Sequence, residues 1–173
     1  MARRAPKVVD DPNDAAAARR DALKILKTRL ISRATLISRL ARRGYTKGVA
    51  ERTAADLEGL GLLNDPRLAE SLARKQMNTK PVGKRVLIAK IRQRGIPAAT
   101  ASEAAEARLK DRDVLADAVD LARRKARVLK PGEDRQVVAR KLFGYLARRG
   151  FDADVCRAAV AKATGNLGDL GES

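Results

Sequence analysis

Three glycines, each reached through the same run of residues, constrain this chain more than any other feature. The runs are Leu36-Ile37-Ser38-Arg39-Leu40-Ala41-Arg42-Arg43-Gly44-Tyr45, Leu87-Ile88-Ala89-Lys90-Ile91-Arg92-Gln93-Arg94-Gly95-Ile96 and Leu142-Phe143-Gly144-Tyr145-Leu146-Ala147-Arg148-Arg149-Gly150-Phe151, with the glycines 51 and 55 residues apart. Each run has two apolar residues, a third three positions on, then Arg-Gly and another apolar residue. At the helical repeat of about 100° per residue, Leu36, Ile37 and Leu40 share one face. Leu87, Ile88 and Ile91 share another, and Leu142, Phe143 and Leu146 a third. The glycine stands where a helix ends in a left-handed residue, a conformation that glycine adopts at least cost. The apolar residue after it folds back to seal the end. Arg43, Arg94 and Arg149 lie at the negative end of the helix dipole.

A helix is expected on each side of every run. Those before are Asp14–Arg29, with Leu23, Leu26 and Leu30 in register, a helix from Asp65 to about Met77, and Arg112–Leu129 with Leu115, Val119 and Ala122. Asp65 reads as the cap of the second, with Pro66 at its first position. Those after are Lys47–Gly59, Ala98–Lys110 and Asp152–Thr164. Breaks fall at Gly59-Leu60-Gly61, Thr79-Lys80-Pro81 and Lys130-Pro131-Gly132. No stretch alternates β-branched and polar residues as a strand does. The chain is therefore expected to be all-α: three tandem three-helix modules over residues 14–63, 65–110 and 112–164. Residues 1–13 read as a disordered lead and 165–173 as a flexible tail. A three-helix unit of about 50 residues is marginal alone, so neighbouring modules must share apolar faces, as an elongated, curved, solenoid-like stack.

Composition supports helices and points to an anionic partner. Hydrophobic residues make up 45% of the 173 and aromatic residues only 2%, so the core must be built from Leu, Ile, Val and Ala. Lys and Arg number 38 against 21 Asp and Glu, a net charge of +17. That exceeds the range of about 2 to 8 that solubility asks of a small domain. Nucleic acid or an acidic protein surface is the natural partner. The bland alternative is high arginine usage on a solvated surface. The single cysteine, Cys156, fits a cytosolic compartment and reads as a small core hydrophobe. Arg3-Arg4 is followed by no apolar run, so neither a secretory nor a twin-arginine signal is expected, and nothing is long and apolar enough to span a membrane.

Two stretches resemble a known family. Leu62-Leu63-Asn64-Asp65-Pro66-Arg67-Leu68-Ala69 is similar to the Asp-x-Arg-Phe-Ala element that follows the first module in the RecX family, regulators of the RecA recombinase. Gly83-Lys84-Arg85-Val86, leading to Ile91 and Arg94-Gly95-Ile96, resembles that family's second-module signature. The resemblance spans about Asp21 to Thr164, and its third module is generic. Leu68 stands where the family usually has Phe; it can fill an apolar socket, though not replace a ring that makes a functional contact. The resemblance implies a non-catalytic protein that binds within the groove of the RecA–DNA filament and bridges neighbouring protomers. It implies inhibition of recombinase and co-protease activity, in DNA repair and the SOS response.

Catalytic constellations are missing from the sequence. There is no histidine, so Ser-His-Asp and Cys-His arrangements cannot be assembled. One cysteine excludes thiolate clusters for a metal. Lys80-Pro81-Val82-Gly83-Lys84 is only an echo of a phosphate loop. Glu103 and Glu106 read as solvated helix charges. No enzyme activity, cofactor, metal or small-molecule substrate is expected.

The candidate binding residues are basic: Arg39, Arg42 and Arg43 in module one, Lys84, Arg85, Lys90 and Arg94 in module two, and Arg148 and Arg149 in module three. For the arginine before each glycine, dipole compensation competes with binding on nearly equal terms. Arg39, Arg42 and Lys90 favour binding to DNA phosphate or to an acidic recombinase surface. The expected partners are the RecA nucleoprotein filament and, weakly and without sequence preference, single- and double-stranded DNA; a monomer is expected. One alternative is a sequence-specific helix-turn-helix protein, but the helix after each glycine carries Glu51, Asp56 and Glu58, or Glu103 and Glu106, which oppose a phosphate backbone. The other is a helical-repeat scaffold for some other acidic protein.

Overall fold

The structure, a computed structural model, describes residues 9–110, 112–129 and 132–165. Among these residues there are nine helices and no strand: α1 Ala15–Thr28, α2 Arg33–Arg42, α3 Lys47–Gly59, α4 Asp65–Thr79, α5 Lys84–Arg92, α6 Ala98–Lys110, α7 Val114–Ala126, α8 Arg135–Arg148 and α9 Ala153–Gly165. They follow one another as three consecutive three-helix modules, the all-α arrangement expected from the repeat. The chain forms two compact units. One holds the described residues of Met1–Ser71 with Ile91–Ala101, the other Leu72–Lys90 with those of Ser102–Ser173. The middle triplet of helices thus contributes to both.

In the first unit the repeat face closes as its spacing dictates: Leu36 and Leu40 are fully buried and Ile37 packs partly against them. The α1 face differs from the expectation. Ala18, Ala22 and Ile25 are the buried residues of α1, whereas Leu23 and Leu30 are exposed and Leu26 is only half-buried. The small Ala18 and Ala22 share a core cluster with Ala50 and Ala54 of α3. Alanines let helix backbones approach closely, and that close packing outweighs the larger transfer energy of the leucines one position round. Residues 9–13, the end of the expected lead, contact the first unit, where Val9 packs against the core cluster. The Val9 N–H donates to the Arg43 carbonyl at 3.1 Å, and the Thr46 N–H to that of Pro12 at 3.0 Å. Residues 1–8 and 166–173 of the expected lead and tail lie outside the described residues, while Gly165 closes α9.

In the second unit Leu142 and Leu146 are fully buried with Ala118, Ala122, Cys156 and Ala159, and Phe143 packs partly against them. The Cys156 thiol donates to the Phe151 carbonyl at 3.5 Å, and burial pushes its pKa up, so it behaves as a core side chain.

All three repeat glycines have positive φ, 102° at Gly44, 80° at Gly95 and 83° at Gly150. The residues after them, Tyr45, Ile96 and Phe151, are buried. The Tyr45 N–H reaches back to the Leu40 carbonyl at 3.3 Å and that of Phe151 to Leu146 at 3.4 Å, the six-residue closure that satisfies orphan carbonyls at a helix end.

The glycine turns also join modules. In the first unit, the Arg94 carbonyl just before Gly95 accepts hydrogen bonds from Ser32 Oγ at 2.8 Å and Thr35 Oγ1 at 3.3 Å, at the start of α2. A Cβ on Gly95 would lie 2.6 Å from Ser32 Oγ. In the second unit, the Arg149 carbonyl just before Gly150 accepts from the Gly83 N–H at 2.9 Å, at the start of α5. A Cβ on Gly150 would lie 2.7 Å from the Val86 backbone nitrogen. Each turn therefore seats on the N-terminal end of a second helix, where free N–H and hydroxyl donors await a carbonyl.

Candidate functional site

The stretch Asn64–Ala69 builds the joint beside α2. Its cap is not the one expected. Asn64 Oδ1 accepts from the Arg67 N–H at 2.8 Å, so Asn64 caps α4 and Asp65 lies inside the helix. Asp65 instead turns its carboxylate to another helix, accepting from the Arg33 N–H at 2.9 Å in the first turn of α2. The shift by one residue frees a buried acid to cap a neighbour's N-terminus, an arrangement the helix dipole favours. Burial nevertheless pushes the Asp65 carboxyl above the usual range, against the hydrogen bond from Arg33. Leu68 is buried.

The candidate basic residues divide into two groups. Arg43 is half-buried and ion-paired with Asp21 at 2.9 Å. Burial raises the Asp21 carboxyl, but Arg43 and hydrogen bonds from Lys24 and Tyr45 outweigh it and hold Asp21 below the ordinary range. Lys84 pairs with Glu106 at 2.8 Å, and the hydrogen bond from Lys84 holds that exposed carboxyl low. The Arg85 guanidinium donates to the Ala147 carbonyl at 3.3 Å, near the C-terminal end of α8. Arg149 lies over the Tyr145 ring, 4.8 Å from its centroid, a cation–π contact. These four are engaged by groups of the chain itself. Lys90, Arg94 and Arg148 are exposed, and among the described residues they form no ion pair.

Arg39 and Arg42 lie together on α2 and also lack a carboxylate among the described residues. They line an open hollow of about 340 Å³ with Ala34, Thr35, Ser38, Gln93 and Gly95. The Arg42 guanidinium donates to Ser38 Oγ at 3.3 Å. Arg39 is half-buried, and its pKa is lowered by that burial and then by Arg29, Arg42 and Arg43 around it. Spacing along α2 brings Arg39, Arg42 and Arg43 to one end of the helix. It does not reveal that Asp21 neutralises Arg43, nor that Arg29 and Gln93 complete the surround, because those partners come from other helices.

Residues 64–104 match the family model described as "RecX, second three-helix domain", and residues 111–160 match "RecX, third three-helix domain". A regulatory protein RecX of Chlorobium phaeobacteroides (strain BS1) is 34% identical over 136 residues, covering 79% of this chain and 86% of its own. The chain belongs to the RecX family. A second RecX relative, from Mycobacterium leprae (strain Br4923), is 35% identical over 144 residues, 81% of this chain and 82% of its own. The crystal structure of RecX from Lactobacillus salivarius shares the fold with a TM-score of 0.79 at 24% identity, over 87% of this chain and 96% of that one. Another crystal structure of a regulatory protein RecX superimposes with a TM-score of 0.73 at 21% identity, over 82% of this chain and 70% of that one. Both relatives are named as regulatory proteins. Among the described residues, no helix is long and apolar enough to cross a membrane, and no cluster of three or more Cys, Asp or Glu could hold a metal.

Proposed function

We propose that this RecX-family chain is a non-enzymatic regulator that binds along the groove of the RecA–DNA filament and inhibits recombinase and co-protease activity in DNA repair and the SOS response. One observation carries the reading: with a net charge of +17, Arg39 and Arg42 have no carboxylate partner among the described residues, while Arg43, one residue on from Arg42, is ion-paired with Asp21. A surface of this kind lowers its own repulsion only by meeting a polyanion, and a nucleoprotein filament supplies one along its whole length. Lys90, Arg94 and Arg148 extend the cationic contact; Arg85 and Arg149, whose contacts are to a carbonyl and to a ring, add their charge to it, while the charges of Arg43 and Lys84 are taken up by Asp21 and Glu106. The chain acts as a monomer in the cytoplasm and binds free single- and double-stranded DNA weakly and without sequence preference.

The deciding experiment is inhibition of RecA's DNA-dependent ATPase by the purified chain. Inhibition that weakens as salt rises, and that Arg39→Ala with Arg42→Ala and Lys90→Ala relieves, is the expected result. A chain that leaves the ATPase untouched at low ionic strength refutes the reading.

A further inference from the structure

The hollow beside α2 has more structure than a cationic surface requires. Arg39 and Arg42 both line it, and among the described residues its wall contains no carboxylate. Ser38 Oγ accepts from Arg42, which leaves its own proton to donate into the hollow. Thr35 spends its proton on the Arg94 carbonyl at 3.3 Å and so serves as wall rather than donor. Gln93 adds an amide from the last turn before Gly95, held in place by the Ser32–Arg94 bond at 2.8 Å. Guanidinium forks, a hydroxyl and an amide thus converge from two modules on one space. At about 340 Å³ it has room for roughly ten waters at about 30 Å³ each. A tetrahedral phosphodiester has oxygens enough to meet both guanidinium forks together with the Ser38 hydroxyl and the Gln93 amide, and guanidinium groups bind phosphate through two parallel N–H donors.

We propose that Arg39, Arg42, Ser38 and Gln93 form a seat for one backbone phosphate of a single-stranded nucleic acid. The choice of polyanion rests on the filament reading above; the seat itself is a property of this chain and is tested without recombinase. Arg39, half-buried among Arg29, Arg42 and Arg43, is the anchor, and Arg42 closes the outer side. Neutralising their mutual repulsion is what the phosphate contributes in return.

The test is binding of a fluorescent oligothymidylate by anisotropy from 50 to 200 mM salt, a window across which several phosphate contacts change affinity by orders of magnitude. Arg39→Gln and Arg42→Ala should each flatten the slope of log affinity against log salt by about 0.7, the value for one contact on a single strand. Arg39→Lys, which keeps the charge, should restore the slope while weakening binding. Arg123→Ala, an exposed charge on α7, should leave the slope unchanged. Equal flattening by all three neutral variants would mean diffuse attraction and would overturn the seat. A local readout guards against misfolding: in the unaltered chain, the Arg39 Nε–H and Gln93 side-chain NMR signals should shift on adding the oligonucleotide, and weakly with inorganic phosphate. Equal shifts with an acidic peptide of matched charge would assign the hollow to protein carboxylates instead and sink the proposal. If slope and shifts behave as expected while RecA ATPase is uninhibited, the seat stands and only the filament reading fails.

Discussion

Replacing Gly95 by Ala tests whether the glycine turns do more than end helices. At φ +80° a side chain sits in left-handed space, which costs about 1 to 2 kcal/mol. The smaller entropy of unfolded Ala offsets roughly 0.4 to 1 kcal/mol of that. Gly61 has nearly the same φ, +69°, but nothing lies within 4 Å of where its Cβ would be. Gly61→Ala therefore isolates the backbone term, with a net loss of about 0 to 1.6 kcal/mol. At Gly95 the new Cβ would also stand 2.6 Å from Ser32 Oγ and 3.0 Å from Thr35 Oγ1, so both hydroxyls must move off the Arg94 carbonyl. Losing that seat adds about 1 to 2 kcal/mol. Urea unfolding followed by circular dichroism at the helix band should thus rank Gly95→Ala below Gly61→Ala by that margin, or about 2 to 8 °C in Tm for a chain of this size. The cycle with Ser32→Ala sharpens the test. Once the hydroxyl is gone, Gly95→Ala should cost little more than Gly61→Ala, a coupling of about 1 to 2 kcal/mol. Strict additivity, or equal losses at Gly61 and Gly95 in the wild-type background, would refute the seat and leave the glycine as a helix terminator only.

Three further outcomes follow from the charges. Asp65 has a raised folded pKa, so stability from this group falls as pH climbs from its unfolded value near 3.8 through the folded one; Asp65→Asn, which still accepts from Arg33, should remove that slope without loss at neutral pH, while Asp65→Ala should cost about 1 to 3 kcal/mol by orphaning the Arg33 N–H. Asp21 is lowered, so its contribution is present above pH 3.8 and is lost as pH falls through the folded value; the acid limb of an unfolding profile should shrink in Asp21→Asn, and an unchanged limb would deny the Arg43 pairing its role. Arg112 pairs with Asp117 and donates to the Met77 carbonyl at 3.3 Å, tying the start of α7 to the end of α4; Arg112→Ala should lower thermal stability by about 1 to 3 kcal/mol, most of it recovered by Arg112→Lys only if charge rather than the forked geometry matters.

Local rules made the helices and their ends legible in the sequence. The 3.6-residue recurrence of Leu36/Leu40, Leu87/Ile91 and Leu142/Leu146 depends on nothing outside each segment, and all six are buried. The Arg-Gly-apolar closure is equally local, and so is the positive φ it requires. The net charge and the absence of histidine need no structure to be read. The resemblance at Leu62–Ala69 and Gly83–Val86 led to the family for the same reason: short motifs survive in the text. What the text could not settle were choices between neighbours of nearly equal merit. Whether leucines or alanines of α1 face inward depends on how near α3 approaches, and the alanines prevailed. Asn64 and Asp65 are both good caps by composition, and only the presence of α2's first N–H drew Asp65 away. Likewise Arg39 and Arg43, four residues apart on one helix, differ because Asp21 of α1 reaches one and not the other. Hydrophobic period and turn chemistry act within a few residues and are written in sequence. Pairing of charges and caps acts across space between distant segments, so it was decided only when the helices packed.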